Sequence, residues 1–278
     1  MLLLLGRVNI SGGIKLAIYF EETGNKSKPS IVFIHGGGIS GWMWHKQVEH
    51  FRDYHCIVPD LPEHGKSINE GSLSIADCAN RIVNLIESKA NNSKAHVVGH
   101  SLGGKVVVEL LSRRPDLVDH AVIASALFRP MFLLKLIHRP FVYKLTAAMI
   151  RNKSILSLTV KQFKVPENLY IEKLKDDFKS LTSDLLYRIY DQLYQYQKIP
   201  NDLANANVPT LVVAGAKEPG VMKQSVTDIA ETLPNAKGIL IKRADHTYPW
   251  AEYDKFNNII RSWICDKNIE EEFVQVVY

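Results

Sequence analysis

The sequence predicts an α/β fold: a mostly parallel central sheet with helices on both faces and an all-helical insertion over one end. Three observations carry this. Short apolar runs stop abruptly at Gly, Pro or Asp; helix-length patterns alternate with them; and from about Leu127 to Ile199 the alternation gives way to helical patterns alone. A run that is apolar at every position is what a strand buried on both faces looks like. Strands separated by helices lie parallel to one another, with the ligand beyond their carboxyl ends.

In chain order, the expected strands are Ile31–Ile34, Cys56–Pro59, Ala95–Val98, Ala121–Ile123, Thr210–Ala214 and Gly238–Ile241. The helical patterns between them are Ile75–Lys89, Leu102–Arg113, Val221–Leu233 and Tyr253–Ile264. The insertion is expected to hold helices over Pro130–Ile150, Glu167–Leu181 and Ser183–Gln197. It contains 13 Lys and Arg against 6 Asp and Glu, a balance of 13 − 6 = +7. The whole chain carries only 34 − 29 = +5, so the basic charge belongs to the insertion. The expected domains are therefore a core of residues 1–126 and 200–278, and a helical cap of residues 127–199.

Composition narrows the function class. At 278 residues, 46% hydrophobic and 23% charged, the chain can fill one large core, which excludes a disordered or fibrous protein. A net charge of +5 makes no case for nucleic acid. Cys56, Cys78 and Cys265 are odd in number and show no metal-binding spacing, as expected of reduced thiols. The apolar start Met1–Leu5 is too short for a signal peptide or a membrane span, so the expected location is cytoplasmic.

Gly99-His-Ser-Leu-Gly103 matches G-x-S-x-G between an expected strand and an expected helix. That context puts Ser101 on a sharp turn that lifts its hydroxyl into the cleft, making it the candidate nucleophile. The same residues continue to Gly104-Lys105 and mimic a phosphate-binding loop. Val106 stands where that loop needs Ser or Thr, so nucleotide binding is rejected. His35-Gly36-Gly37-Gly38 follows the first strand. Its Gly37 N–H, with the N–H of Leu102, is the candidate oxyanion hole.

His246, in the loop after Gly238–Ile241, is the candidate base; His100, beside the serine, is expected to pack. Glu218 is the candidate acid by elimination, because it is the only carboxylate at the head of the loop after Thr210–Ala214. Asp228 falls inside a helix, and Asp245 is too close in sequence to orient its neighbour.

Together, His35-Gly36-Gly37, Asp60-Leu-Pro-Glu-His-Gly65-Lys-Ser67, Gly99–Gly103, Gly215-Ala-Lys-Glu218 and Asp245-His246 resemble the α/β-hydrolase superfamily. The resemblance is to its serine-nucleophile members with a helical cap after the sixth strand. It covers nearly the whole chain and implies cleavage of a small carboxylic ester or related acyl compound through an acyl-enzyme, with no cofactor or metal. Two positions depart from the family pattern: Glu63 stands where Gly is usual, and Glu218 where Asp is more common. The fold also hosts carbon–carbon bond hydrolases, acyltransferases and silent ligand-binding proteins.

The expected partner is a small acyl substrate. Pro130–Ile150 mixes apolar residues with Lys135, Arg139 and Lys144, so contact with a membrane surface is the rival expectation. The favoured one is that this apolar face packs on the sheet and lines the pocket, with Tyr190 and Phe141 setting acyl preference. Tyr187, Tyr190 and Tyr194 recur at helical spacing and read first as the core of the cap, second as pocket wall.

Overall fold

The structure is a computed structural model that describes residues 4–7, 18–130 and 138–278. Nine strands form one sheet: β1 (Leu4–Arg7), β2 (Tyr19–Gly24), β3 (Ser30–Ile34), β4 (His55–Asp60), β5 (Ala95–His100), β6 (Val118–Ala124), β7 (Thr210–Gly215), β8 (Ala236–Ile241) and β9 (Val274–Val276). Their order across the sheet is β1-β2-β4-β3-β5-β6-β7-β8-β9. The six neighbours from β4 to β8 are parallel, while β1, β2 and β9 pair antiparallel at the two edges.

The central strands β3, β4, β5 and β7 are buried at every position. This is why they read as continuous apolar runs rather than alternating ones. The edge strands gave no such signal. β2 carries Glu21 and Glu22, and β9 is only three residues long.

The core helices are α1 (His45–His50), α2 (Ile75–Lys89) and α3 (Leu102–Arg113), which cover the two faces of the sheet together with the helices after β7. Ser74 caps α2 by accepting the Asp77 N–H, and Ile75, Cys78, Ile82, Leu85 and Ile86 form its inward stripe. Between β6 and β7 the chain forms only helices: α4 (Pro140–Ile150), α5 (Lys153–Gln162), α6 (Asn168–Ser180) and α7 (Ser183–Gln195). The first part of the helix expected from Pro130, including Lys135, lies outside the described residues, as does Met1–Leu3.

α5 was not expected as a separate helix. Its start is fixed by Asn152, whose side chain accepts the N–H groups of Ser154 and Ile155. After β7 come α8 (Gly220–Thr232), the short α9 (Tyr248–Ala251) and α10 (Tyr253–Ile264). α1 and α10 are joined by Gln47 Nε2 donating to Asn257 Oδ1 at 2.8 Å. Among the described residues no helix is long and apolar enough to cross a membrane.

Candidate active site

Ser101 sits between β5 and α3 with φ 55°, ψ −112°, in the left-handed half of backbone space. A non-glycine residue there is strained and persists only where its surroundings enforce it. The enforcement is visible on either side. A Cβ at Gly99 would lie 2.3 Å from the Gly103 carbonyl oxygen, and one at Gly103 would lie 2.2 Å from the Ile34 carbonyl oxygen. Strand and helix therefore meet at a distance only glycine allows, and the serine between them is pushed outward. Its N–H is held by Ala124 O at 2.8 Å.

Glu218 and His246 are brought together by the ends of β7 and β8. His246 Nδ1 donates to Glu218 Oε2 at 2.8 Å. The other oxygen, Oε1, accepts from Gly215 N–H at 2.8 Å and from Ser125 Oγ at 2.7 Å. Glu218 is 5% exposed, so it is no solvated loop charge. Three donors fix both its oxygens.

Ser125 directly follows β6. It too has a positive φ, 52°, and its Oγ lies 3.1 Å from the hydroxyl of buried Tyr248. Having given its one proton to Glu218, Ser125 accepts from the tyrosine. No sequence pattern marks this Tyr248–Ser125–Glu218 chain, because its members are 93 and 123 residues from Ser125.

His100 does pack, and it also bonds. Burial holds it well below the ordinary histidine pKa, so its neutral ring donates from Nε2 to the His246 carbonyl at 3.1 Å. The two rings are 4.6 Å apart, which places His246 against the residue preceding Ser101. Among the described residues no hydrogen bond joins Ser101 Oγ to His246. The His246 side chain is 44% exposed, with Nδ1 taken by Glu218 and Nε2 as its free nitrogen.

Two more imidazoles shape the loop after β3. His35 Nε2 accepts the Leu61 N–H at 2.8 Å, and its Nδ1 bonds the Gly36 carbonyl. His64 Nε2 accepts the Gly38 N–H at 2.9 Å, and its Nδ1 bonds the Pro62 carbonyl. Burial lowers His35 to about 4 and His64 to about 3. Both are therefore neutral, with the proton on Nδ1, and they clamp the glycine loop to the turn after β4. A Cβ built at Gly37 would be 3.7 Å from Leu102 Cβ, so the two expected oxyanion donors are neighbours.

Gly37, Gly38, Ser101 and Leu102 border a cavity of about 360 Å³. Its remaining walls come from the helical insertion, among them Thr146, Ile150, Phe163, Leu186, Ile189 and Tyr190. No charged side chain lines it among the described residues. Tyr190 thus stands where the sequence placed it. Phe141 does not: it is 67% exposed, because α4 turns Val142, Thr146 and Ile150 to the cavity and Phe141 away. Tyr194 is exposed as well, while Tyr187 stacks on His138 with ring centroids 4.7 Å apart.

Asp245 turns from His246 to Lys164 and Thr247. Burial alone would raise its carboxyl, but these bonds outweigh it and hold it at about 2. Lys105, the lysine of the mimicked phosphate loop, is fully buried. Its amine donates to the Tyr196 carbonyl and lies 4.3 Å from the Phe128 ring centre, under the two ends of the insertion. Burial pushes it down to about 7.

A family model described as alpha/beta hydrolase fold matches residues 29–154. An AB hydrolase superfamily protein of Gibberella zeae is 33% identical over 123 residues, 43% of this chain and 43% of that protein. A carboxylesterase of Bacillus subtilis is 26% identical over 258 residues, 87% of this chain and 82% of that one. Among solved structures, a thermophilic esterase from Thermogutta terrifontis superposes with a TM-score of 0.73 at 19% identity, over 95% of this chain and 98% of that one. At that identity the superposition shows the fold.

Proposed function

We propose that this chain is a serine hydrolase of the α/β-hydrolase superfamily, acting on a small carboxylic ester or related compound with an apolar, uncharged acyl group. The observation that carries this is the buried Glu218 carboxylate bound to His246 Nδ1, on loops that converge beside the strained Ser101 turn. A chance G-x-S-x-G pentapeptide has no reason to gather such partners.

In this reading His246 Nε2 takes the proton of Ser101 as Oγ attacks the acyl carbonyl carbon. The carbonyl oxygen becomes an oxyanion, held by the N–H groups of Gly37 and Leu102. Its collapse breaks the ester bond, the leaving alkoxide takes the proton from His246, and water releases the acyl group by the same steps in reverse roles. Glu218 keeps His246 in the Nδ1–H tautomer and stabilises the imidazolium. Residues 127–199 are the cap, and the rest is the core. The cap supplies most of the cavity wall, and the lack of charge there supports a neutral acyl group over a carboxylate-bearing one. The three free cysteines, two of them buried, fit the cytoplasmic location we assign.

A fluorophosphonate should label the wild type on the peptide holding Ser101 and leave Ser101→Ala unlabelled. A panel of p-nitrophenyl esters should show turnover that favours neutral acyl groups. Labelling of the alanine variant would remove Ser101 from its role. A wild type inert to both reagents would make the cavity a ligand-binding site instead.

A further inference from the structure

We propose that the outer face of the helix α4, continued along α5, docks on an anionic lipid surface. Phe141, Leu145 and Met149 recur at every fourth position of α4 and are 67%, 59% and 46% exposed. The opposite side of the helix is apolar as well: Tyr143 and Ala147 are buried, and Val142, Thr146 and Ile150 line the cavity. A helix apolar on all sides is ordinarily covered on all sides. Here one side meets solvent.

The charge around this stripe says what covers it. Between Asp119 and Glu167 the sequence has eight Lys and Arg and not one Asp or Glu. Arg139, Lys144, Arg151, Lys153 and Lys161 are exposed, and none of them forms an ion pair among the described residues. On α5, Leu158 adds another exposed apolar side chain between Lys153 and Lys161. A second copy of the chain would bring the same cations against these, like charge against like. A bilayer with anionic headgroups offers negative charge and apolar depth together. Docking there would hold the acyl cavity, on the inner side of the same helix, next to the lipid phase.

The test is co-sedimentation of the full chain with vesicles of phosphatidylcholine alone, and of phosphatidylcholine mixed with phosphatidylglycerol. The wild type should sediment with the mixed vesicles and much less with the neutral ones, and added salt should release it. Phe141→Ser with Leu145→Ser, or Lys144→Glu with Arg151→Glu, should weaken binding at least about tenfold. All four positions are exposed, and unchanged thermal unfolding and fluorophosphonate labelling would show the variants folded. Ser101→Ala should bind vesicles as the wild type does, which separates this proposal from the catalytic one. Absence of vesicle binding, or equal binding by the variants, overturns the proposal. So does a wild-type dimer in sedimentation velocity that Phe141→Ser with Leu145→Ser dissociates without any vesicle binding, because the face would then belong to a second copy.

Discussion

Glu218 shows how much of a residue's role lies in what surrounds it. Its carboxylate accepts from His246, Ser125 and Gly215, and each bond constrains the others through the two shared oxygens. Glu218→Gln keeps the shape but removes the charge that, in the proposed mechanism, stabilises the imidazolium. Turnover of a simple ester should fall at least about a hundredfold. Ser125→Ala removes one neutral donor while the other two remain, so kcat should fall by about tenfold, with fluorophosphonate labelling of Ser101 retained. Steady-state kinetics of both variants checks this. If Glu218→Gln turned over within about threefold of wild type, the carboxylate would supply less than about 1 kcal/mol, and the orienting role would fall to another group.

Among the elements, polar ties join the helical insertion to the loops of the sheet. Asp177 of α6 accepts from Ser40 N–H at 2.9 Å and from Trp42 Nε1 at 2.6 Å, in the loop that follows the glycines. Glu63 is the more telling tie. It has φ 64°, the left-handed conformation that favours glycine, the residue the family resemblance leads one to expect there. The glutamate in its place accepts the Leu73 N–H at 2.7 Å and pairs with Arg188 of α7 through both its oxygens. Glu63 thus ties the turn after β4 to α7 of the helical insertion.

Glu63→Gly should leave global stability within about 1 kcal/mol, since relief of left-handed strain offsets the lost bonds. It should nonetheless speed limited proteolysis within residues 127–199, as should Arg188→Ala. Cleavage at the wild-type rate in both variants would mean that the pair does not hold the helical insertion in place.

Over the whole molecule, buried imidazoles set the dependence of stability on pH. In the unfolded chain His35, His64 and His96 take up protons near the ordinary 6.5. In the fold, burial delays this to about 4 for His35 and His96 and about 3 for His64. The unfolded state therefore binds more protons across that window. Stability is fully present above 6.5 and is lost as pH falls toward 4, with His35 alone accounting for about 3 kcal/mol. Asp177, raised to about 6 by burial, and Asp60, also raised by burial, act in the opposite sense, but burial lowers His45, His50, His55 and His100 as well as these three. Urea unfolding should give a clearly lower free energy at about pH 5 than at neutral pH. A flat profile would mean that these rings titrate normally in the fold.

The six parallel strands are legible in the residues alone, because strands buried on both faces run apolar, whereas the edge strands β1, β2 and β9 are not. The Ser101 turn is legible there too, since Gly99 and Gly103 are local requirements of a close strand–helix crossing. Glu218 could be reached by elimination, being the one carboxylate that the loop after β7 offers. What tertiary structure alone decided is where long separations close. Ser125 and Tyr248 meet at the acid, and Glu63 and Arg188 meet across 125 residues. The two faces of α4 were likewise settled only there, because composition shows that the helix is apolar but not which side is left to water. Periodicity records burial against near neighbours. A hydrogen bond between loops, or an apolar face without a cover, leaves no period to read.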